Sequence, residues 1–311
     1  MSYHLMEIAK MVKIIFKERM AACTSSLPNV RSRSHRGILL LVLLLLLQSA
    51  FTRAEERRDK PLWELGLVGI GGYGPDYPAA DESQLKGLPL PYLIYRGKIL
   101  RAGDKGLVRG RFFRSERLEF DLSLEGSFDA ESDDNFMRRG MPDLDYLFEI
   151  GPRLQITLKK DVMKGKLDLE LPLRAVIATD FTSLSYEGLV FHPQLAWQDD
   201  DFLGSGTRLK VGAGPIFFSE KFMDYFYEVE PRFATSGRTA FNARSGYLGS
   251  ELQVAAIKKL GKHLSIFQSI GLDFYEGSAN NESSLFRDDF TVSFRVGLIW
   301  RAYQSTQKAD E

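Results

Sequence analysis

Apolar and polar residues alternate along residues 289–303, near the carboxyl end of the chain. A period of two is typical of a β-strand with one apolar and one polar face. A strand in a soluble sandwich has about five or six residues, whereas a tilted strand needs about nine to eleven to cross a bilayer. The pattern therefore predicts a membrane-spanning strand, in which Ile299 is the only large apolar residue on the polar face. The apolar face holds Phe290, Val292, Phe294, Val296, Leu298, Trp300 and Ala302.

The same alternation recurs upstream, in segments that end at turn-forming residues. In lipid every unpaired backbone group costs several kcal/mol, so a sheet of this size must close on itself. We expect an all-β fold, a transmembrane antiparallel up-and-down β-barrel of about ten strands. Twelve strands are the alternative, with the extra strands at 101–114 and 199–206. The upstream candidates are 63–67, 91–100, 118–125, 146–158, 167–177, 189–197, 207–218, 247–260 and 263–275.

The connections between these strands differ in length. Short turns are expected at 159–165 and at Gly261 and Lys262, and long connections at 71–88, 130–143, 219–244 and 281–288. Outer-membrane barrels have short periplasmic turns and longer extracellular loops. If the chain ends in the periplasm, this rule places the long connections outside the cell.

The amino-terminal region has the pattern of a secretory signal. Arg31, Arg33 and Arg36 precede an apolar run at 38–47, and the segment 52–54, with small residues at its two outer positions, fits a signal-peptidase site. The run is well short of the roughly twenty apolar residues of a spanning helix, which disfavours a membrane anchor. We therefore expect residues 1–54 to be an extension with a cleaved signal peptide, 55–303 the barrel, and 304–311 a carboxyl-terminal tail.

Charge and cysteine content narrow the function. The whole chain has 41 basic and 41 acidic residues; without residues 1–54 it keeps 33 and 39, a formal charge of about −6. Nucleic-acid binding would call for a basic face, so no nucleic-acid partner is expected. Cys23, the only cysteine, lies within 1–54, which excludes thiolate metal sites and a cysteine nucleophile from the mature chain.

A glycine-rich motif at 69–74 fits the G-x-G-x-x-G pattern of dinucleotide sites. Such a site needs a helix directly after the glycines, but Pro75 and Pro78 follow here and keep the chain extended or turning. Glycines at a bend or rim of a barrel are the ordinary explanation, so no cofactor and no cofactor-binding residue is assigned.

Two histidines, His192 and His263, remain in the mature chain, and no nucleophile-elbow motif accompanies them. Ser205 or Ser245 could meet a histidine in space, which leaves a membrane-embedded hydrolase as a minor alternative. We expect both histidines to be surface or interfacial residues, and we assign no catalytic and no metal-binding residue.

Charged residues of both signs occupy the polar faces of the strands. They could form a selectivity ring or a sugar site, but charges in a narrow barrel that cannot reach bulk water must pair, and a balanced set can do so. We expect these residues to pair across the lumen. They are Asp121, Glu149, Arg153, Asp168, Glu170, Arg174, Arg295 and Arg301.

Short blocks spread over the mature chain resemble the MipA/OmpV family of outer-membrane proteins. In chain order they are GPDYP at 74–78, LPLPY at 88–92, YRG at 95–97, RRGMPDL at 138–144, EIGP at 149–152, GAGP at 212–215, YFY at 225–227, SGY at 245–247 and YEGSA at 275–279. The resemblance implies an outer-membrane barrel in a Gram-negative cell envelope. One family member, the MltA-interacting protein, is a scaffold that links a murein hydrolase to a murein synthase; others are described as adhesins or as osmotic and antibiotic-response proteins. The family brings no catalytic residues.

The function expected from pattern and resemblance together is a non-catalytic scaffold in the outer membrane. Its expected partners are outer-membrane lipid and murein hydrolase or synthase proteins. The alternatives are a small-solute pore, a surface adhesin and, less favoured, the hydrolase.

Overall fold

The computed structural model describes residues 61–95 and 111–307, all within one unit at 54–311, and side chains at 61–93 and 115–307. The expected signal segment at 1–54, the end of the strand expected at 91–100 and the last four residues of the tail lie outside the described residues. Among those described, no helix is long and apolar enough to cross a membrane.

Over residues 61–95 and 111–307 the structure has twelve strand segments and one α-helix. The helix, α1, spans Glu220–Tyr227 and follows β9. The strands are β1 Trp63–Pro75, β2 Ser83–Tyr95, β3 Arg111–Arg114, β4 Leu118–Ser127, β5 Tyr146–Val162, β6 Gly165–Thr179, β7 Leu184–Phe191, β8 Gln194–Asp199, β9 Thr207–Phe218, β10 Gly246–Lys259, β11 Leu264–Phe274 and β12 Phe290–Gln304.

The strands form an antiparallel up-and-down barrel, as predicted. Their order is β2-β1-β12-β11-β10-β9-β7-β6-β5-β4-β3, and β8 continues the place of β7 between β6 and β9. The first and last strands pair along β1 and β12, from Glu64 opposite Gln304 to Tyr73 opposite Phe294. The ends of this order, β2 and β3, are consecutive in the chain.

The first hairpin differs from the sequence prediction. β1 continues through the glycines to Pro75 and β2 begins at Ser83, so the long connection expected at 71–88 is wrong and only 76–82 joins the strands. The glycines and the partly buried Lys86 interrupt the apolar alternation, but β1 has backbone partners on both sides, in β12 and β2. These pairings outweigh the weak local preference for strand.

The two faces of the strands have the expected characters. Leu298 and Trp300 of β12 are about half exposed, on the face that meets lipid. Ile299, the apolar exception on the polar face, packs inside the barrel against a small cluster of Val68 and Tyr92. Ile299 interrupts the polar face of β12 because it belongs to an apolar patch of the lumen.

The longest described connections lie at one end of the barrel, and the tight two-residue hairpin lies at the other. At the end that we call the turn end, β5 and β6 are joined by Met163 and Lys164, both with positive φ, as in a tight two-residue hairpin. Gly261 also lies there, and its amide bonds the Leu264 carbonyl. The opposite end, the loop end, carries the connections at 76–82, 128–145, 180–183, 219–245 and 275–289.

The lipid-facing position of Leu298 leads to a stability prediction. Leu298→Arg, at the middle of β12, should lower the free energy of unfolding by about 2–4 kcal/mol, because a charge there must be buried in hydrocarbon. Ala302→Arg on the same face, near the strand end, is the matched control and should cost about 0–1 kcal/mol. Urea unfolding in lipid vesicles, followed by tryptophan fluorescence, measures both. Equal costs for the two variants would contradict the assignment of this face to lipid.

Candidate functional site: the capped lumen

The loop end is closed by a cap with its own apolar core. The sequence of α1 places aromatic and apolar residues on one face, and Phe222, Met223, Phe226 and Tyr227 are all buried. They pack against Tyr77, Leu144, Leu248 and Leu285, which come from the other long connections and the nearby strand ends. The long connections are therefore a packed layer.

The start of α1 is fixed to the barrel wall. Ser219, which precedes the helix, accepts a hydrogen bond at Oγ from the Leu189 amide of β7, and its own amide donates to the Leu189 carbonyl. Gly188 permits this approach, because a Cβ at that position would lie 2.4 Å from Ser219 Oγ. Gly188 also has a φ of +123°, which disfavours any other residue.

Hydrogen bonds from two tyrosines tie the connections to each other. Tyr77 donates its hydroxyl to the Leu285 carbonyl at 2.9 Å, and Tyr227 donates to the Pro78 carbonyl at 2.8 Å. The Ser283 hydroxyl donates to the Tyr227 carbonyl, also at 2.8 Å. Three separate connections are thereby joined through buried polar contacts.

Two arginines serve as further ties and have backbone carbonyls, not carboxylates, as partners. Arg138 donates to the Phe226 carbonyl at 3.2 Å and the Pro142 carbonyl at 3.1 Å. Arg238 donates to the Met137 carbonyl at 2.6 Å and the Phe233 carbonyl at 2.7 Å. Burial lowers the pKa of the Arg138 guanidinium, which loses hydration that the carbonyls replace.

Below the cap, a belt of ion pairs follows the barrel wall. Arg153 of β5 donates to both carboxylate oxygens of Asp121 at 2.9 Å and lies 3.4 Å from Glu170 of β6. Lys210 of β9 reaches the same Glu170 at 2.8 Å. Asp168, one inward position nearer the turn end, pairs with Lys166 at 2.5 Å.

Nearer the cap, Arg174 of β6 bridges two glutamates. Its Nε lies 2.8 Å from Glu149 and its Nη2 lies 3.2 Å from Glu125. The Arg174 side chain is 2% exposed and that of Glu149 is 16% exposed, so their contact is buried, whereas the Glu125 side chain is 50% exposed. Its third nitrogen, Nη1, has no hydrogen-bond partner and is also buried.

A cavity of about 500 Å³ lies between the ionic wall and the cap. Its ceiling includes Phe218, Phe222 and Tyr275, and its wall includes Arg174 and Lys210. The lining further includes Glu125, Glu149, His192, Glu251, Asp273 and Arg295.

The prediction that the charged residues form ion pairs is confirmed, but the prediction that they pair across the lumen is wrong. Most pairs join neighbouring strands along the wall instead of crossing the lumen, since opposite inward positions of adjacent strands are close enough for direct contact. Arg301 follows this rule, with Glu64 of β1 at 3.2 Å. Arg295 is the exception to pairing, because no described carboxylate lies within ion-pair distance of it.

The expectation of two surface histidines is wrong for His192. It lies at the break between β7 and β8, is 4% exposed, and has Nε2 3.7 Å from Glu251 Oε2. Pro193 follows it and cannot donate to the sheet, which explains why the strand breaks there. His263 is exposed in a turn at the turn end, with Nδ1 3.1 Å from the Arg301 carbonyl.

Neither serine considered for a hydrolase meets a histidine in the hydrogen bonds of the described residues. Ser205 lies in the connection 200–206 at the turn end, and its hydroxyl donates to the Phe202 carbonyl. Ser245 directly precedes β10 at the loop end. His192 has Glu251 as its nearest ionic neighbour instead.

Sequence reasoning did not single out three residues of the cavity, Lys210, Glu251 and Asp273. Each lies at an inward position of a strand that the alternation had identified, so strict application of the period would have found them. In the described parts of the chain, no cluster of three or more His, Cys, Asp or Glu side chains is arranged to hold a metal ion.

The closed antiparallel sheet, the lipid-facing apolar surface and the charged lumen define an outer-membrane β-barrel protein. The family model described as MltA-interacting protein MipA matches residues 67–302, and the chain belongs to that family. No curated protein matches the chain.

Several solved outer-membrane proteins are similar in architecture. Outer membrane phospholipase A from Escherichia coli has 9% identity and a TM-score of 0.31, with 78% of this chain and 94% of that chain covered. The outer membrane protein OprD from Pseudomonas aeruginosa has 8% identity and a TM-score of 0.25, with 83% and 98% covered. Because the identities and TM-scores are this low, neither similarity indicates an activity for this chain.

The buried bridge at Arg174 leads to a second prediction. Arg174→Met should destabilise the barrel by about 3–5 kcal/mol, because Glu149 and Glu125 lose their shared cation. Lys160→Met is the control; Lys160 pairs with Glu116 at 3.6 Å, both largely exposed, and should contribute about 0–1 kcal/mol. Urea unfolding in vesicles at pH 7 compares the two, and similar values would contradict a buried bridge.

The acidic edge of α1 leads to a third prediction. Burial, together with the neighbouring carboxylates of Glu228 and Glu220, raises the pKa of the Asp224 carboxyl to about 6. The folded state therefore holds this proton more tightly than the unfolded state, and the cap should gain stability as the pH falls through about 6. We expect stronger hydrogen-exchange protection of α1 at pH 5 than at pH 7.5, after correction for intrinsic rates.

Asp224→Asn should reproduce the low-pH protection at pH 7.5 and weaken the pH dependence. Glu282→Gln, an exposed carboxylate in another connection of the cap, is the matched control and should change neither. An unchanged pH response in Asp224→Asn would show that another group is responsible.

Proposed function

We propose that this protein is a non-conducting, non-catalytic scaffold of the outer membrane that holds a murein enzyme at its periplasmic face. The observation that carries the proposal is the closure of the lumen by a packed cap above a wall of paired charges. Such a barrel does not give solutes an open path, but it can anchor a binding surface for another protein in the membrane. The family's description as MltA-interacting protein supports a murein hydrolase as the partner.

The cap argues against the alternative of a small-solute pore. A pore requires a continuous water path, whereas here Phe222 and Phe226 of α1 cover the cavity. Arg138 in the connection 128–145 donates a hydrogen bond to the Phe226 carbonyl and so holds the helix in place. Opening would require buried aromatic residues and several buried hydrogen bonds to separate together. The same rigidity would suit an adhesin, which we keep as the second alternative for the loop end.

The turn end is the surface that we assign to the murein enzyme. By the rule that short turns face the periplasm, the β5–β6 and β10–β11 hairpins lie on the side where murein is found. The β5–β6 hairpin presents three exposed lysines, Lys159, Lys160 and Lys164. Charged rim groups of this kind steer a partner and set the rate of association.

Conductance and capture experiments together test the scaffold. The purified protein in planar bilayers should give no reproducible open steps, and immobilised protein should retain a murein hydrolase of the MltA type. Replacing Lys159, Lys160 and Lys164 by Glu should weaken capture by about tenfold or more at low salt. The control replaces Lys221, Arg232 and Arg244 at the loop end by Glu and should leave capture unchanged.

Three results would count against the scaffold. Reproducible open steps would favour the pore. Equal loss of capture in both triple variants would remove the assignment to the turn end. A lipid- or murein-cleaving activity that is lost in His192→Ala would favour the hydrolase.

A further inference from the structure

Two pairs of like-charged residues face each other in the upper lumen. Glu125 of β4 lies directly opposite Glu149 of β5, and Glu251 of β10 lies directly opposite Asp273 of β11. Like charges at directly opposite positions destabilise a sheet unless a cation lies between them. The first pair has such a cation, since Arg174 contacts both glutamates.

The second pair has no comparable partner among the described residues. Glu251 accepts a hydrogen bond at Oε1 from the neutral amide of Gln253 at 3.2 Å, and its Oε2 lies 3.7 Å from His192 Nε2. No described side chain bonds or pairs with the Asp273 carboxylate. Both pairs thus lie at directly opposite positions of adjacent strands, but only the first pair is neutralised by an arginine.

Charge in this part of the cavity is unbalanced. Four carboxylates, those of Glu125, Glu149, Glu251 and Asp273, face two guanidinium groups, those of Arg174 and Arg295. With all four carboxylates ionised and His192 neutral, the four negative and two positive groups would leave an excess of two negative charges. The belt below does not offset it, because Arg153 and Lys210 are matched there by Asp121 and Glu170.

The space between Glu251 and Asp273 is kept open by a glycine. Gly271 of β11 has no side chain, and a Cβ built there would lie 3.5 Å from Glu251 Oε1 and 3.9 Å from Asp273 Oδ2. Ser293 Oγ of β12 lies 2.6 Å from the same point. Three oxygen acceptors on three neighbouring strands therefore converge on one small volume.

His192 supplies an independent sign of a ligand. Its side chain is 5% exposed, lines the cavity, and has Nε2 buried without a hydrogen-bond partner. A buried polar atom without a partner is rare in folded proteins and calls for an explanation, of which a bound group is one and an ordered water another. In the tautomer with the proton on Nδ1, Nε2 is an acceptor beside Glu251.

We propose that Glu251, Asp273 and His192 form a binding site for the primary ammonium group of a small organic cation. Such a group carries one positive charge and three N–H donors, which match two carboxylates and one imidazole nitrogen. The donor set is not arranged for a metal ion in the described part of the chain, as noted above. Phe218 and Tyr275 in the ceiling offer apolar and aromatic surface to the carbon skeleton.

The test uses the full mature chain in lipid nanodiscs and three probes of similar shape. The probes are n-butylammonium, n-butyltrimethylammonium, which has no N–H donors, and neutral n-butanol. We expect n-butylammonium to raise the unfolding temperature in a concentration-dependent way. Apparent affinity for the trimethyl compound should be weaker by about tenfold or more, because charge-assisted hydrogen bonds are lost.

Variants locate the site within the cavity. The double variant Glu251→Gln with Asp273→Asn should lose the n-butylammonium response, and Gly271→Ala should weaken it by filling the open space without a change of charge. Glu116→Gln, 92% exposed in the turn between β3 and β4, is the control and should keep the full response. The gel shift between unboiled and boiled samples verifies that each variant is folded.

Four results would overturn the proposal. They are no response to n-butylammonium at pH 7.5 or pH 9, an equal response to all three probes, an unchanged response in the folded double variant, and competition by Mg²⁺ at equal concentration. None of these results bears on capture of a murein enzyme at the turn end, so the two proposals fail separately.

Discussion

Backbone hydrogen bonding in lipid is the constraint on which this structure depends. An unpaired amide or carbonyl in the bilayer costs several kcal/mol, so the strands must pair on both sides and the sheet must close. Closure fixes the two faces of every strand, because side chains alternate with a period of two. The outer face must then be apolar, and whatever polar residues the strands contain are confined to a narrow lumen.

Confinement explains the chemistry of the lumen. Charges brought into a space with little water are stable only with close partners, and adjacent strands offer them at opposite positions. Arg153 with Asp121, and Arg174 with Glu149, are contacts of this kind. A pairing pattern along the wall leaves the centre of the barrel open, which is why a cavity of about 500 Å³ coexists with so many ion pairs.

Strand periodicity made most of the fold predictable from the sequence. The last strand was expected at 289–303 and is found at Phe290–Gln304, and the hairpin at Gly261 is where it was expected. The prediction failed at 71–88, where glycine-rich strands are specified by their neighbours and not by their own residues. It also failed for His192, since its burial follows from a strand break that places the imidazole over the lumen.

The cap could not be predicted from strand periodicity, because its contacts join connections that are far apart in the chain. Tyr77 meets Leu285 and Arg138 meets Phe226 only after the barrel has brought their strand ends together. Above the bilayer such connections could remain hydrated, and an apolar core there has no role in crossing the membrane. Its physical effect is to separate the cavity from the loop end. A packed ceiling over the carboxylates limits their contact with bulk water, and electrostatic interactions are stronger where the local dielectric constant is lower.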